Sequence, residues 1–203
     1  MPAISVEKFV ERLAKGKPVP AILLLGGDVY LRDLCRARLV EASVPDNARD
    51  WAVWRFSAAE DSLDRALGQA QTMPMLAPRQ VVFLEAVEAL ERLGEEARDA
   101  AVDQLNAYLE DPAPFTLLVF EAVKLDDRMK LSKRLAEKTL VVSVELAASP
   151  EDRAGVAALM ALDLARERGV ELDQQAAEEL ADILNADMTH IRTELEKLAT
   201  YVG

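Results

Sequence analysis

Apolar residues recur along this chain with two different periods, and the places where one gives way to the other outline its elements. From 5 to 15, Val6, Phe9, Val10 and Leu13 return every three or four residues, as on one face of a helix. Ser5 stands where a helix is capped, and Gly16 with the prolines behind it ends the segment. The run 21–25, Ala-Ile-Leu-Leu-Leu, is apolar at every position, which predicts a strand buried on both faces, as in a parallel sheet covered by helices. Gly26-Gly27-Asp28 turns the chain into a helix over 30–43, with Leu31, Leu34, Cys35 and Leu39 at helical spacing. The segment 51–56 alternates with period two and predicts a half-covered strand near an edge, with Trp51 and Trp54 on opposite faces.

A short helix follows over 63–71 and a strand over 81–85. The next segment, 87–110, predicts one long charged helix with Leu90, Leu93, Ala97, Ala101, Leu105 and Leu109 as its buried stripe, stopped by Pro112 and Pro114. A strand over 115–120, a basic helix over 126–138 and a last strand over 140–144 complete the alternation. The expected fold class is therefore α/β, a three-layer sandwich around a mainly parallel five-stranded sheet.

Beyond 146 no β-rich run returns. Three helical segments follow, at about 150–168, 173–185 and 188–201, with Ser149 before Pro150 and Asp173 before the stripe Ala176, Ala177, Leu180, Ile183, Leu184 as start signals. The expected division is an α/β domain over 1–146 and a small three-helix domain over 147–203, joined by the linker 147–150. Residues 146–203 carry 12 acidic and 5 basic side chains, a net charge of −7, which makes this part a poor binder of nucleic acid by itself.

The totals point the same way. A chain of 203 residues, 51% hydrophobic and 30% charged, can bury a sizeable core, and a net charge of −12 argues against a protein whose main surface is a phosphate-binding patch. The single cysteine excludes an intrachain disulfide framework and any cysteine-cluster metal site, and the expected compartment is the cytoplasm. Residues 1–10 have no export signal, and the apolar run 21–25 is far too short to span a bilayer.

One stretch fits none of these elements. Thr72-Met73-Pro74-Met75-Leu76-Ala77-Pro78-Arg79-Gln80 sets a methionine and a leucine between two prolines, with a second methionine just before them. It is too apolar for an ordinary loop and too rich in proline for a strand.

Candidate chemistry elsewhere is sparse. An α/β sandwich followed by a helical module raises the nucleotide-hydrolysing class, whose glycine-rich loop after the first strand carries Gly-Lys-Ser/Thr to hold phosphates and magnesium. Here the corresponding residues are Gly26-Gly27-Asp28-Val29-Tyr30-Leu31-Arg32, with no lysine and with Asp28 where phosphate would sit. They read better as a tight turn with Asp28 capping the helix. Glu85 and the pair Asp126-Asp127 are conceivable magnesium ligands, but helix-terminal charge explains the aspartates. His190 reads as a surface or satisfied helix histidine, Cys35 as a core thiol, and Trp51 and Trp54 as core or partial cover rather than a base-stacking platform. Lys124, Arg128, Lys130, Lys133, Arg134 and Lys138 form the one basic concentration, a solvated face or else a contact for a partner subunit or DNA backbone. No cofactor or metal is expected.

In order and spacing, four pieces taken together resemble the delta subunits of bacterial DNA polymerase III. They are Leu-Leu-Leu-Gly-Gly-Asp-Val-Tyr-Leu from 23, Met-Pro-Met-Leu-Ala-Pro-Arg-Gln from 73, Leu-Leu-Val-Phe-Glu-Ala-Val-Lys-Leu-Asp-Asp-Arg from 117, and Arg-Gly-Val-Glu-Leu-Asp from 168 ahead of Glu-Leu-Glu-Lys-Leu-Ala-Thr-Tyr from 194. The resemblance covers essentially the whole chain. It implies a non-enzymatic clamp-loader subunit of AAA+/RecA-like architecture without a functional phosphate loop, which binds and helps open the sliding clamp in DNA replication. A short helix bearing two large apolar residues would enter a pocket on the clamp. By position these are Met75 and Leu76, with Met73 and Pro74 before them and Ala77, Pro78, Arg79 and Gln80 after. The family's usual pair is leucine then an aromatic residue, so Met75-Leu76 departs from it, and the adaptable methionine suits an irregular pocket.

The implied partners are the clamp (beta subunit), the gamma/tau and delta-prime loader subunits, and primer-template DNA only indirectly. The family's C-terminal collar domain would begin where this sequence stops. The alternatives are a delta-prime-like subunit, whose cysteine cluster and Ser-Arg-Cys motif are missing here, and a nucleotide-binding AAA+ ATPase. A receiver-type signalling domain would need an acidic acceptor pocket that the Asp28 turn does not assemble.

Overall fold

Five strands, β1 (Ala21–Leu25), β2 (Val53–Ser57), β3 (Gln80–Glu85), β4 (Thr116–Ala122) and β5 (Leu140–Ser143), pair in parallel in the order β2-β3-β4-β1-β5. The structure is a computed structural model and describes residues 2–16, 19–145 and 150–202. Alternation along each strand sends Leu23, Val82, Leu84, Leu118 and Phe120 to one face and Ile22, Leu24, Val81, Phe83 and Val119 to the other, all of them buried. Helices cover both faces, which is why the sequence lacks a polar side in β1, β3 and β4. On the first face lie α4 (Leu63–Gln71), α5 (Glu95–Glu110) and α6 (Lys130–Lys138), contributing Ala66, Leu67, Leu105, Tyr108, Leu131 and Leu135 to one core. On the second lie α1 (Val6–Ala14) and α2 (Val29–Ser43), with Phe9, Leu31, Cys35 and Leu39 buried. The expected three-layer α/β class is the one observed.

Several boundaries differ from the sequence expectation, each for a local reason. Residues 49–52 form a single helical turn, α3 (Arg49–Ala52), so β2 starts at Val53. Trp51 therefore stands on a helix, not on a strand face, and both tryptophans are exposed instead of serving as core. The expected helix over 87–110 is broken. Val87–Arg92 is a 3-10 segment entered through Ala86 at φ 54°, Leu93 is extended, and α5 begins only after Gly94. Glu95 and Glu96 then face the positive end of α5. The break leaves Leu93 and Ala97 exposed, while Val87 and Leu90 enter the core. Residues 126–129 form a turn ahead of α6 in place of its first helical turn. Ser5 holds the N-cap position of α1, but only its carbonyl acts there, accepting the Phe9 N–H at 3.0 Å.

The chain divides into two compact units, Met1–Glu145 and Leu146–Gly203. The linker expected at 147–150 and the Ser149 start signal fall on residues outside those described, up to Pro150, where α7 (Pro150–Glu167) begins. In the second unit α7 packs against α8 (Gln174–Ile183) and α9 (Met188–Val202). Small side chains, Ala157, Ala158, Ala161, Ala165, Ala177 and Ala181, fill much of its core. Asp173 caps α8 by accepting the Ala176 N–H at 2.7 Å. The stripe read on α8 holds at Ala177 but not at Ile183. There the helix ends through Asn185 and Ala186 at φ 52° and 56°, leaving Ile183 exposed.

Candidate functional site: an apolar loop at the amino ends of the strands

The anomalous stretch is the connection from α4 to β3. Helix α4 starts at Ser62, whose hydroxyl accepts the Arg65 N–H, and ends at Thr72, whose hydroxyl donates back to the Gly68 carbonyl at 2.8 Å. Pro74 and Pro78 supply no N–H to a helix or ladder, and residues 75–78 run as successive bends before β3 takes up at Gln80. The short helix that the family resemblance implies here is thus not formed. Met75 is 97% exposed, Met73 69% and Leu76 66%. Three large apolar groups bared within four positions is a concentration found nowhere else among the described residues. Pro78 and Arg79 are exposed, and Pro74 and Ala77 are half-buried. Arg79 also borders a cavity of 360 Å³ with Leu13, Pro20, Ile22 and Pro112.

Gln80 is a correction. Its place in the sequence groups it with the surface residues of the stretch, yet its side chain is wholly buried. Its backbone N–H donates to the Phe115 carbonyl as the first bond of the ladder, and its amide is drawn inward by acceptors at the end of α4 and on β4. Sequence reasoning also misses its polar partners Gln69 and Thr116. The one available signal is a glutamine opening an otherwise apolar strand.

At the opposite end of the sheet stands the turn after β1, where a phosphate loop would lie. Gly26 has φ 138°, and a Cβ there would come within 2.5 Å of the Val144 carbonyl oxygen, so glycine is required. The Gly26 N–H donates to the Ala122 carbonyl at 3.0 Å and that of Asp28 to the Val144 carbonyl at 3.1 Å. Asp28 caps α2 by accepting the Leu31 N–H at 2.8 Å, as expected. The Arg32 guanidinium donates to the Gly26 carbonyl. Behind the turn, Arg36 reaches Glu121, which is only 2% exposed, through Nε at 2.7 Å and again through Nη2, with Glu85 and Asp33 each at 3.1 Å. Burial acts to lower the Arg36 pKa, but the hydrogen bond and charge of Glu121 outweigh it and leave it raised.

The other candidates are occupied by structural roles. Glu85 pairs with Arg36 and Arg55, both at 3.1 Å. The Asp126 carboxylate accepts from Arg128, which brings its pKa down to about 2. Among the described residues no group of three or more His, Cys, Asp or Glu could hold a metal ion. His190 is exposed beside Asp187 at 3.0 Å, and Cys35 is buried. Within the basic concentration, Arg128, Lys130 and Arg134 pair with Asp126, Asp99 and Glu137, while Lys124, Lys133 and Lys138 are exposed. No helix among the described residues is long and apolar enough to cross a membrane.

A parallel sheet in this order, followed by a small helical unit, defines an AAA+-like α/β architecture. It is shared at the level of fold with domain III of the replication initiation protein DnaA from Thermotoga maritima, which matches with a TM-score of 0.51 and 14% identity over 97% of this chain and 82% of that one. The match to the family described as DNA polymerase III, delta subunit, spans residues 23–145, and the chain belongs to that family. DNA polymerase III subunit delta of Bacillus subtilis is 29% identical over 196 residues, 94% of this chain and 54% of the relative. The solved structure of the Bacillus subtilis DNA clamp loader delta protein superposes with a TM-score of 0.73 at 28% identity, over 98% of this chain and 58% of that one. The chain thus spans little more than half the length of these relatives.

Proposed function

We propose that this chain binds the ring-shaped sliding clamp of DNA replication through Met75 and Leu76, helps to open it, and does so without binding ATP itself. The observation that carries the reading is the exposure of Met75 and Leu76 at 97% and 66%, on a loop set between prolines in a member of the delta-subunit family. Burying two such side chains in a partner's pocket contributes roughly 3 to 6 kcal/mol in total, enough to make them the centre of an interface. Met73, Pro74, Ala77, Pro78 and Arg79 form the rim of that contact, and Gln80 lies beneath it. In this reading the gamma/tau and delta-prime subunits supply ATP hydrolysis, primer-template DNA is reached through the assembly, and the cytoplasm is the place of action.

Two features support the absence of a nucleotide. The residues after β1 include no lysine to meet a phosphate. In addition, the Gly26 and Asp28 N–H groups, of the kind that cradle phosphates in a phosphate loop, donate to carbonyls of the protein. The test is capture of the chain by immobilised clamp. The natural sequence binds and the Met75→Ala, Leu76→Ala variant binds about a hundredfold more weakly, whereas equal binding of both would overturn the site. Titration with a fluorescent ATP analogue is expected to give no saturable micromolar binding, and saturation would return the protein to the nucleotide-binding class.

A further inference from the structure

The loop leaves α4 and enters β3 over a buried polar knot with Gln80 at its centre. Its Nε2, with two hydrogens shared among three acceptors, lies 2.9 Å from the Gln69 carbonyl, 2.7 Å from the Thr72 carbonyl and 2.9 Å from Thr116 Oγ1, and its Oε1 accepts from Gln69 Nε2 at 3.0 Å. Thr116 donates its one hydroxyl hydrogen to the Ala70 carbonyl at 2.7 Å, so toward Gln80 it can only accept, which fixes the direction of the glutamine amide. The end of a helix leaves its last four carbonyls without intrahelical partners. Here the Gly68 carbonyl takes the Thr72 hydroxyl, that of Gln69 takes Gln80, and that of Ala70 takes Thr116. Two of the caps of α4 are therefore side chains of the sheet beneath it. They tie Thr72, the first loop residue, to Gln80, the residue that closes the loop.

We infer that Gln80 is a positioning residue for the clamp contact. Together with Thr116 and Gln69, it holds the two ends of the loop in one geometry, so that Met73, Met75 and Leu76 are presented to the partner already ordered. The inference rests on the clamp-binding reading above. Apolar side chains on an untethered connector would lose conformational freedom on docking, and that cost is removed in advance when the ends are fixed. Hydrogen bonds suit this task better than apolar packing because their directions specify a single exit path. No atom of Gln80 reaches the surface, so it cannot touch the partner, and its effect on binding passes through the loop or through the stability of the fold, which thermal unfolding separates.

The experiment compares Gln80→Met, which keeps the size and removes the amide, with the natural sequence and with Met75→Ala, Leu76→Ala on immobilised clamp. Thermal unfolding and the NMR signals of 13C-labelled methionine methyls are read on each. A folded Gln80→Met protein is expected to bind at least tenfold more weakly, with the Met73 and Met75 methyl signals moved or broadened. On the Met75→Ala, Leu76→Ala background the same change should cause no further loss, a non-additivity that a purely structural role would not produce. Gln69→Ala, which removes only the donor to Gln80 Oε1, should weaken binding about threefold and keeps the test open should Gln80→Met fail to fold. If Gln80→Met and Gln69→Ala bind like the natural sequence while Met75→Ala, Leu76→Ala is weakened about a hundredfold, the positioning role is wrong and the clamp contact stands. If the natural sequence is not captured, the clamp contact itself falls.

Discussion

At the carboxyl ends of the strands, the turn 26–28 is closed by charge. Arg36 spans Glu121, Glu85 and Asp33, Arg32 holds the Gly26 carbonyl, and Asp28 caps α2. At the amino ends, the loop 72–79 is held by neutral amides and hydroxyls from Gln69, Gln80, Thr72 and Thr116. The first connection turns its polar groups inward and presents no large apolar surface beyond Val29 and Val123. The second buries its polar groups and presents three large apolar side chains, Met73, Met75 and Leu76. Two connections of one sheet thus present opposite surfaces, one whose polar groups are taken up by partners within the protein and one that bares apolar side chains where a loop is ordinarily polar.

The largest effect that tests this contrast is on binding alone. Met75→Ala with Leu76→Ala should weaken clamp capture by about a hundredfold or more, since roughly 3 to 6 kcal/mol of burial is removed. The melting temperature should hardly move, because side chains 97% and 66% exposed stabilise little in the free protein. A large drop in melting temperature would mean that the loop is part of the core.

The turn should answer in the reverse way. Gly26→Ala sets a Cβ within 2.5 Å of the Val144 backbone at φ 138°, and about 3 kcal/mol of stability should be lost in urea unfolding. The folded fraction should still bind clamp. Arg36→Met leaves the Glu121 carboxylate, 2% exposed, without its cation. Because Arg36 itself keeps some contact with solvent, the loss should be about 2 to 3 kcal/mol, and a further Glu121→Leu change should return most of it. Failure of that second change to help would mean that the ion pair acts through packing.

Much of this is legible in the sequence because it rests on local signals. Continuous apolar runs mark β1, β3 and β4, Gly-Gly-Asp marks the turn and its cap, and methionines and a leucine interleaved with two prolines mark the exposed loop. What is not legible depends on partners distant in sequence. Arg36 and Glu121 are 85 residues apart, and Gln80 and Thr116 are 36 apart. No periodicity links such pairs. Gln80 therefore reads as part of the surface beside it, although it faces inward at the start of β3 and bonds the end of α4 and Thr116. The break at Gly94 is hidden for a different reason. The apolar stripe across 87–110 continues in register through a residue that tolerates either conformation, and Glu95 and Glu96 then stand at a helix start, where their charge is favourable.

The smallest effect separates the two ends by pH. Tyr108 lies on α5 in the core of the amino-end half, and burial pushes its phenol up to about 12 from an ordinary value of 10.0. A raised pKa means that the folded state favours the protonated phenol. Its contribution is therefore whole below pH 10, where the unfolded chain is also protonated, and is withdrawn as pH rises from about 10 to about 12. The loss at the top of that window should be at most about 2 kcal/mol, because raising a pKa by one corresponds to about 1.36 kcal/mol and the site can relax. Tyr108→Phe removes the titrating group and should flatten the stability curve in that window alone. The ion pairs around Arg36 should change little there, since Arg36 titrates still higher. Between about pH 10 and 12 the natural sequence should consequently lose stability that Tyr108→Phe retains. Equal alkaline sensitivity in the two proteins would show that the buried phenol is not the source of that fall.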